Sequence, residues 1–342
     1  MSQIGAGQII ESDLKRIHQQ VDMSCFRAKR ILVAGGAGFL GTWLCDLLVL
    51  SGAFVECVDN LSTGLFDNIR HLIGHRDFTF TESDVTQTEF EDKRYDLIFH
   101  LASRASPEEY QQYPVQTLLA NSSGTWNLLE LAKRSHATTV YASSSEVYGD
   151  SQVLPTPETY WGWVNPIGVR SCYDEGKRFG EALCMAYKRG NAMDVRIIRI
   201  FNTFGPRIRE DGAYGRAVSR FISQALKGND ITVYGDGNQT RSFCYVTDTL
   251  SGILRVASNE TARGEVLNIG NPQETRILEI AQRINKLAGD NSRISYKPLP
   301  PDDPVRRCPD ISKAKRLLGW EPVIPLDDAL KRTVEWFTLR SE

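Results

Sequence analysis

The 342-residue chain carries 40 basic residues against 42 acidic ones, a formal charge of -2. That balance gives no electrostatic ground for a nucleic-acid or anionic-membrane partner, and no apolar run approaches the ~20 residues that span a bilayer. Its 7 cysteines are scattered without a C-x-x-C pair, which predicts reduced thiols in a cytoplasmic protein, with no disulfide framework and no metal site.

The first 28 residues lack the apolar core of an export signal. Leu14, Ile17 and Val21 recur there at helical spacing, so 1–28 reads as an N-terminal arm, either a surface helix or a partly disordered segment. Regular structure is expected from Arg30. Ile31-Leu32-Val33-Ala34 reads as a buried parallel strand and runs straight into Gly35-Gly36-Ala37-Gly38-Phe39-Leu40-Gly41. A helical pattern follows through Leu44, Leu47, Leu48 and Leu50. Glycines at 35, 38 and 41 suit a tight turn, close backbone approach to a pyrophosphate and close helix packing. The helix N-terminus adds free N–H groups and a partial positive charge. A second strand, Phe54 to Val58, ends at Asp59. A carboxylate about 20 positions beyond such a turn binds the adenosine ribose hydroxyls and rejects a 2'-phosphate, so the expected cofactor is NAD and not NADP.

The alternation continues. Phe78-Thr79-Phe80 leads to Ser83-Asp84-Val85, where Asp84 is placed to meet the adenine. Tyr95 to Ala102 is the next buried strand; His100, at its end, is read as packed or backbone-bonded. A helix is predicted from about Pro114 to Lys133, then a strand from Thr138 to Ser143. This pace argues a doubly wound parallel sheet, with the serines 143 to 145 at the strand end where ligands of such sheets bind. A further strand covers Asp194 to Ile200.

Beyond it the βαβ rhythm is lost. A helix from about Gly215 to Leu226 precedes a strand, Ile231 to Tyr234, closed by a Gly-Asp-Gly turn. Segments Arg241 to Val246 and Val266 to Gly270, an amphipathic helix Arg276 to Leu287 and a Pro-rich stretch at 298–304 follow. The fold class is therefore α/β: a Rossmann doubly wound parallel sheet with a smaller C-terminal α/β substrate-binding lobe. The NAD-binding domain is assigned to 29–200, with 236–270 returning to it, and the nucleotide-sugar-binding lobe to 201–235 and 271–342. Arginines 207, 209, 216, 241, 306 and 307 are available for a diphosphate and a carboxylate.

One pair suggests the chemistry. Tyr173 and Lys177 lie four apart, one turn on a helix face. A neighbouring ammonium favours the phenolate and is expected to pull the tyrosine pKa down from about 10. A tyrosine so tuned is a general base for a hydroxyl proton, the partner step to hydride removal.

The glycine triplet, Asp59-Asn60-Leu61-Ser62-Thr63-Gly64, His100-Leu101-Ala102-Ser103 and Tyr173-x-x-x-Lys177 together resemble the extended short-chain dehydrogenase/reductase family. Ser145-Glu146-Val147-Tyr148-Gly149-Asp150, Trp161 to Gly168, Cys172 to Arg178, Ile200 to Arg207, Val233 to Arg241 and the C-terminal Asp302-Asp303-Pro304, Arg307 and Leu318 to Pro322 resemble UDP-glucuronate decarboxylases within it. Nucleotide-sugar 4,6-dehydratases have Thr-Asp-Glu where this chain has Ser144-Ser145-Glu146, so water elimination lacks its acid. The 4-epimerases usually lack the Glu. Both remain alternatives, as does a non-catalytic nucleotide-sugar-binding relative.

The resemblance implies catalytic roles for Tyr173, Lys177, Ser144, Glu146 and Arg307. It implies oxidation of the sugar 4-hydroxyl, loss of carbon dioxide from the 4-keto acid and return of the hydride, giving UDP-xylose and in part a released 4-keto-pentose. It places NAD against Gly35, Gly38, Phe39, Leu40, Gly41, Asp59, Asn60, Ser62, Thr63, Gly64, Asp84, Val85, Leu101, Ala102, Ser103, Tyr173, Lys177 and Thr203. The substrate falls to Arg104, Ser144, Asn202, Arg216, Tyr234, Arg241 and Arg307, and Glu146 beside a substrate carboxylate should be protonated or orient a water. Arg104 replaces a proline common in the family, which could loosen cofactor retention or favour stopping at the ketone. A homodimer through helices near 115–133 and 173–190 is also implied.

Overall fold

The computed structural model describes residues 2–88, 90, 93–209 and 217–341. Six strands, β1 (Arg30–Ala34), β2 (Phe54–Asp59), β3 (Phe78–Glu82), β4 (Leu97–His100), β5 (Thr138–Ser144) and β6 (Val195–Ile200), join Val266–Ile269 in one sheet. Its order is Val266–Ile269, β6, β5, β4, β1, β2, β3, and every pair is parallel. Helices cover both faces. The central strands are therefore buried on both sides, β4 at all four positions and β1 everywhere but Arg30, which is why they read as apolar runs and not as alternating ones. Strand order reverses between β1 and β4. The crevice beyond their carboxyl ends is where an open α/β sheet takes its ligand.

The helix expected from Pro114 to Lys133 is two helices, Pro114–Asn121 and Ser123–Ser135. Ser122, at φ -107 and ψ -83, breaks it. The hydroxyls of Ser122 and Ser123 donate back to Leu118 O at 2.7 Å and Leu119 O at 3.0 Å, the local competition that disfavours serine inside helices.

The lobe is built from a parallel pair, Ile231–Tyr234 with Ile294–Lys297, an antiparallel pair, Thr240–Ser242 with Glu274–Arg276, and helices Ala217–Leu226 and Ile277–Leu287; Thr240–Ser242, expected with the NAD-binding domain, joins the lobe through this pairing. The segment after 311, expected in this lobe, instead returns to the sheet flank. Lys313 Nζ donates to Val266 O at 2.8 Å. Trp320 Nε1 donates to Asp248 O and Ser251 Oγ, both at 3.0 Å, and the Asp248 carboxylate accepts the N–H groups of Val323 and Ile324.

The first residues are not a surface arm. They form α1 (Ser2–Gln20), which packs against the last helix, Leu326–Ser341. Ile9, Ile10, Ile17 and Val21 are buried, each contributing roughly 1.5–3 kcal/mol. Fully buried Asp13 accepts the Tyr245 hydroxyl at 2.6 Å and pairs with Arg332 at 2.8 Å. Helical spacing showed the stripe but not what would cover it. No described helix is long and apolar enough to cross a membrane.

Candidate active site

Two clefts open at the carboxyl edge, one of about 340 Å³ between the sheet and the lobe and a narrower one of about 80 Å³ over the ends of β2 and β3. Gly35, Gly38, Thr63, Leu101 and Ser103 line both, so they are halves of one elongated site. Asp59, Asn60, Ser62, Asp84, Val85 and Ala102 line the narrow half; Phe39, Leu40, Gly41 and Thr203 line the wide half.

The turn after β1 fits a dinucleotide. Gly35 has φ +82, and a Cβ there would lie 2.7 Å from Ala102 N; a Cβ on Gly41 would lie 2.1 Å from Gly35 O. Only glycine lets the turn close this tightly. Helix α2 (Phe39–Leu50) consequently starts at the cavity wall with no capping side chain, leaving its first N–H groups for phosphate oxygens. Beneath the turn the Asp59 carboxylate accepts Ala37 N at 3.0 Å and Leu61 N at 2.9 Å. Gly64 lines neither half but makes room for that carboxylate, since a Cβ on it would lie 2.7 Å from Asp59 Oδ1. In the narrow half Asp84 accepts Asn60 Nδ2 at 2.8 Å and Thr86 N at 2.9 Å. Burial alone would raise its pKa, yet these bonds and the charge of Arg104 hold it low.

Arg104 was expected on the substrate. It lines the narrow half with Asp59 and Asp84 instead, its guanidinium over the Tyr113 ring at 4.7 Å. The loop leaves β4 on the side of β2, which carries residue 104 towards the adenosine half.

Tyr173 and Lys177 project from one helix, Ser171–Asn191, into the wide half. The Ser144 side chain stands near enough to the Tyr173 hydroxyl to lower its pKa, and the Tyr173 ring stacks on Tyr110 at 5.1 Å and 5°. The expected lowering of its pKa is not what the surroundings produce. Burial raises the Tyr173 phenol, while Ser144 and the charge of Arg307 pull it partly back. Lys177, buried, donates to Ala142 O at 2.8 Å with Nζ 5.8 Å from the Tyr173 ring centroid. Burial lowers its own pKa to about 7, so near neutrality it carries only part of the charge assumed for it. His100 is packed as expected, with Nε2 2.9 Å from Thr125 Oγ1 and its ring edge-on to Tyr141.

Glu146 sits on a short turn at the end of β5 with Ser145, which is buried. Arg307 pairs with one carboxylate oxygen and Arg170 Nη2 with the other at 2.5 Å. Burial opposes ionisation, but the two guanidiniums win and hold the Glu146 carboxyl well below the usual range. Beside a substrate carboxylate Glu146 is expected to be protonated or to orient a water; its two guanidinium partners favour the ionised form. The next acid behaves oppositely: burial first and the Glu146 charge second raise the pKa of Asp174. Arg307 Nε and Nη2 are buried without a partner.

Asn202, Tyr234 and Arg241 line the wide half, and the buried Asn202 Oδ1 is unpartnered. Arg216 lies outside the described residues. Arg220 lines the cavity and holds its guanidinium 4.9 Å over the Tyr234 ring. Arg209 reaches the wall while bonded to Glu109 and Thr63 O. Two other candidate cations are structural: Arg207 pairs with Asp46 at 2.5 Å over Trp43, and exposed Arg306 pairs with Glu274. Sequence reasoning missed Tyr110, Arg170, Arg220 and Asp303. Arg170, one turn before Asp174, offered a helical-spacing signal and Asp303 lay in a C-terminal motif; Tyr110 and Arg220 meet the site only through the fold.

The model of the NAD dependent epimerase/dehydratase family matches residues 31–270. A UDP-glucuronic acid decarboxylase 1 of Danio rerio is 49% identical, over 92% of this chain and 74% of its own length. UDP-glucuronic acid decarboxylase 5 of Arabidopsis thaliana is 47% identical, over 92% and 91%. Among solved structures, a UDP-glucose 4-epimerase of Thermotoga maritima with UDP-glucose superposes with a TM-score of 0.84 at 31% identity, covering 92% of this chain and 100% of that one.

Proposed function

This chain belongs to the NAD dependent epimerase/dehydratase family, and we propose that it catalyses the NAD-dependent decarboxylation of UDP-glucuronate, through a 4-keto intermediate, to UDP-xylose. The observation that carries the reading is the Glu146–Arg307 pair in the same cavity as Tyr173 and Ser144, with a serine at 145. Elimination needs an acid beside the leaving hydroxyl, and Ser145 is not one.

Bound NAD would supply the hydride acceptor at C4 of the sugar and, at the end, the donor. Gly35, Gly38, Gly41 and the start of α2 would hold its pyrophosphate, Asp59 its ribose, and Asp84 its adenine. Tyr173 acts as the base that removes the 4-hydroxyl proton, relayed through Ser144, with Lys177 favouring the phenolate. The resulting ketone lies β to the carboxylate, so the C5–carboxyl bond can break with its electron pair entering an enolate. Carbon dioxide leaves, C5 takes one proton, and reduction of the ketone returns the proton held by Tyr173. Arg307 provides unpartnered N–H groups for the carboxylate; Arg241, Asn202, Tyr234 and Arg216 are assigned to the nucleotide sugar.

Incubation with UDP-glucuronate and NAD should release carbon dioxide and a UDP-pentose, and Tyr173→Phe should abolish both, a loss of about 10²–10⁴-fold. A 4-epimer, loss of water, or activity surviving in Tyr173→Phe would sink the assignment.

A homodimer is proposed on the exposed apolar side chains Val115, Leu118, Leu119, Trp126 and Phe179 of the helices between 114 and 191, a patch of the kind that marks protein contacts. Sedimentation of Leu118→Glu, expected to run as a monomer, tests it. Cytoplasmic residence is proposed because all seven cysteines are free, as a reducing compartment keeps them.

A further inference from the structure

Alternating charges run along one wall of the cavity. Arg241 Nη2 lies 2.8 Å from one Asp303 oxygen, and Arg170 Nη1 lies 3.6 Å from the other. Arg170 also holds Glu146 at 2.5 Å, and Glu146 holds Arg307. The side chains from Arg241 to Arg307 are 9%, 13%, 6%, 16% and 5% exposed, so water screens them little. Three guanidiniums alternate with two carboxylates along this wall, and a third acid, Asp174, stands 3.9 Å from Arg170 Nε. Arg170, shared among three acids, is unequally placed: tight on Glu146 and loose on Asp303 and Asp174.

We infer that Asp303 and Arg170 are positioning residues that make the state of Glu146 depend on what Arg241 binds. The inference rests on the decarboxylase reading for the identity of the substrate and on the assignment of Arg241 to its diphosphate. A diphosphate that engages Arg241 weakens its hold on Asp303. The freed carboxylate then competes for Arg170, whose grip on Glu146 loosens, and Glu146 becomes able to take up a proton. A substrate anchored by its diphosphate thereby readies the acid beside its own carboxyl group, and remote binding energy is turned into catalysis. Linkage is reciprocal: neutralising Glu146 must strengthen the hold on a diphosphate.

The test is the affinity of UDP, measured by calorimetry on the NAD-loaded protein in a double-mutant cycle. Glu146→Gln, which mimics the protonated acid, should tighten UDP about fivefold or more. In an Asp303→Asn background the same change should tighten it no more than about twofold. Equal tightening in both backgrounds, or none in either, overturns the coupling. If Asp303→Asn fails to fold, Arg170→Lys breaks the chain one link further along and is read identically. With UDP-glucuronate, Asp303→Asn should lower kcat about tenfold with KM unchanged or lowered, since Arg241 then has no carboxylate to leave; a raised KM with unchanged kcat would make Asp303 only a brace for Arg241 and refute the proposal. Native protein that binds UDP but releases no carbon dioxide refutes the decarboxylase reading, while the UDP cycle still decides the coupling.

Discussion

Replacing Lys177 by Met tests whether burial governs the charge beside the catalytic tyrosine. Lys177 is 2% exposed, and burial lowers its pKa from 10.5 to about 7. A base whose pKa is depressed by folding destabilises the fold for as long as it is protonated. That penalty is complete well below pH 7, where a depression of this size amounts to roughly 5 kcal/mol. It fades as pH rises towards the unfolded value of about 10.4. Between about pH 6 and pH 9 the native protein should therefore gain about 3 kcal/mol from this one group. Lys177→Met keeps much of the volume and has no proton to lose, so its packing offset is independent of pH. Urea unfolding of both proteins at the two pH values, without added dinucleotide, isolates the difference because all other titrating groups are shared. The native protein should rise by about 3 kcal/mol more than the variant. Parallel curves would show that the bond to Ala142 O offsets burial, and the account of a partly neutral Lys177 would be wrong.

Gly41→Ala should abolish dinucleotide retention, because its Cβ would lie 2.1 Å from Gly35 O; fluorescence titration with NAD reads this, and unchanged affinity would refute the tight-turn account. Asp59→Asn should relax discrimination between NAD and NADP by about tenfold, the worth of one ionic hydrogen bond, measured as the ratio of the two dissociation constants. Arg104→Pro should lessen any release of 4-keto-pentose and free NADH during turnover, followed by product chromatography. A native enzyme yielding only xylose-type product would leave Arg104 no such effect.

What the sequence showed of this site depended on whether the signal was local. The glycine turn, Asp59 and the alternation of apolar runs with helical patterns are short-range features, and the sheet follows them closely. Tyr173 and Lys177 were legible as a spacing, but their proton affinities were not. Burial by Tyr110, Tyr141 and the sheet is a property of the assembled fold, and it opposed the expected shift. Glu146 was legible as a motif member. Its ionised state depends on Arg170, 24 residues on, and on Arg307, 161 residues on, distances at which no periodicity operates. Arg104 was visible as a departure, yet its place above the adenosine half is set by the path of the loop after β4.

The clasp at α1 bears on how the chain is made. Arg332 reaches back to Ile9 O and to Asp13 across more than 300 residues. Synthesis proceeds at about 5–20 residues per second, so α1 emerges from the ribosome tens of seconds before the helix Leu326–Ser341 that it packs against. Throughout that interval α1 can pack on α2 and on the helix Val246–Ser258, and Asp13 can bond Tyr245, but the face and the Asp13 oxygen that meet Leu326–Ser341 lack their native cover. The contact between α1 and Leu326–Ser341 can therefore form only after the intervening chain is made, so it closes late in folding.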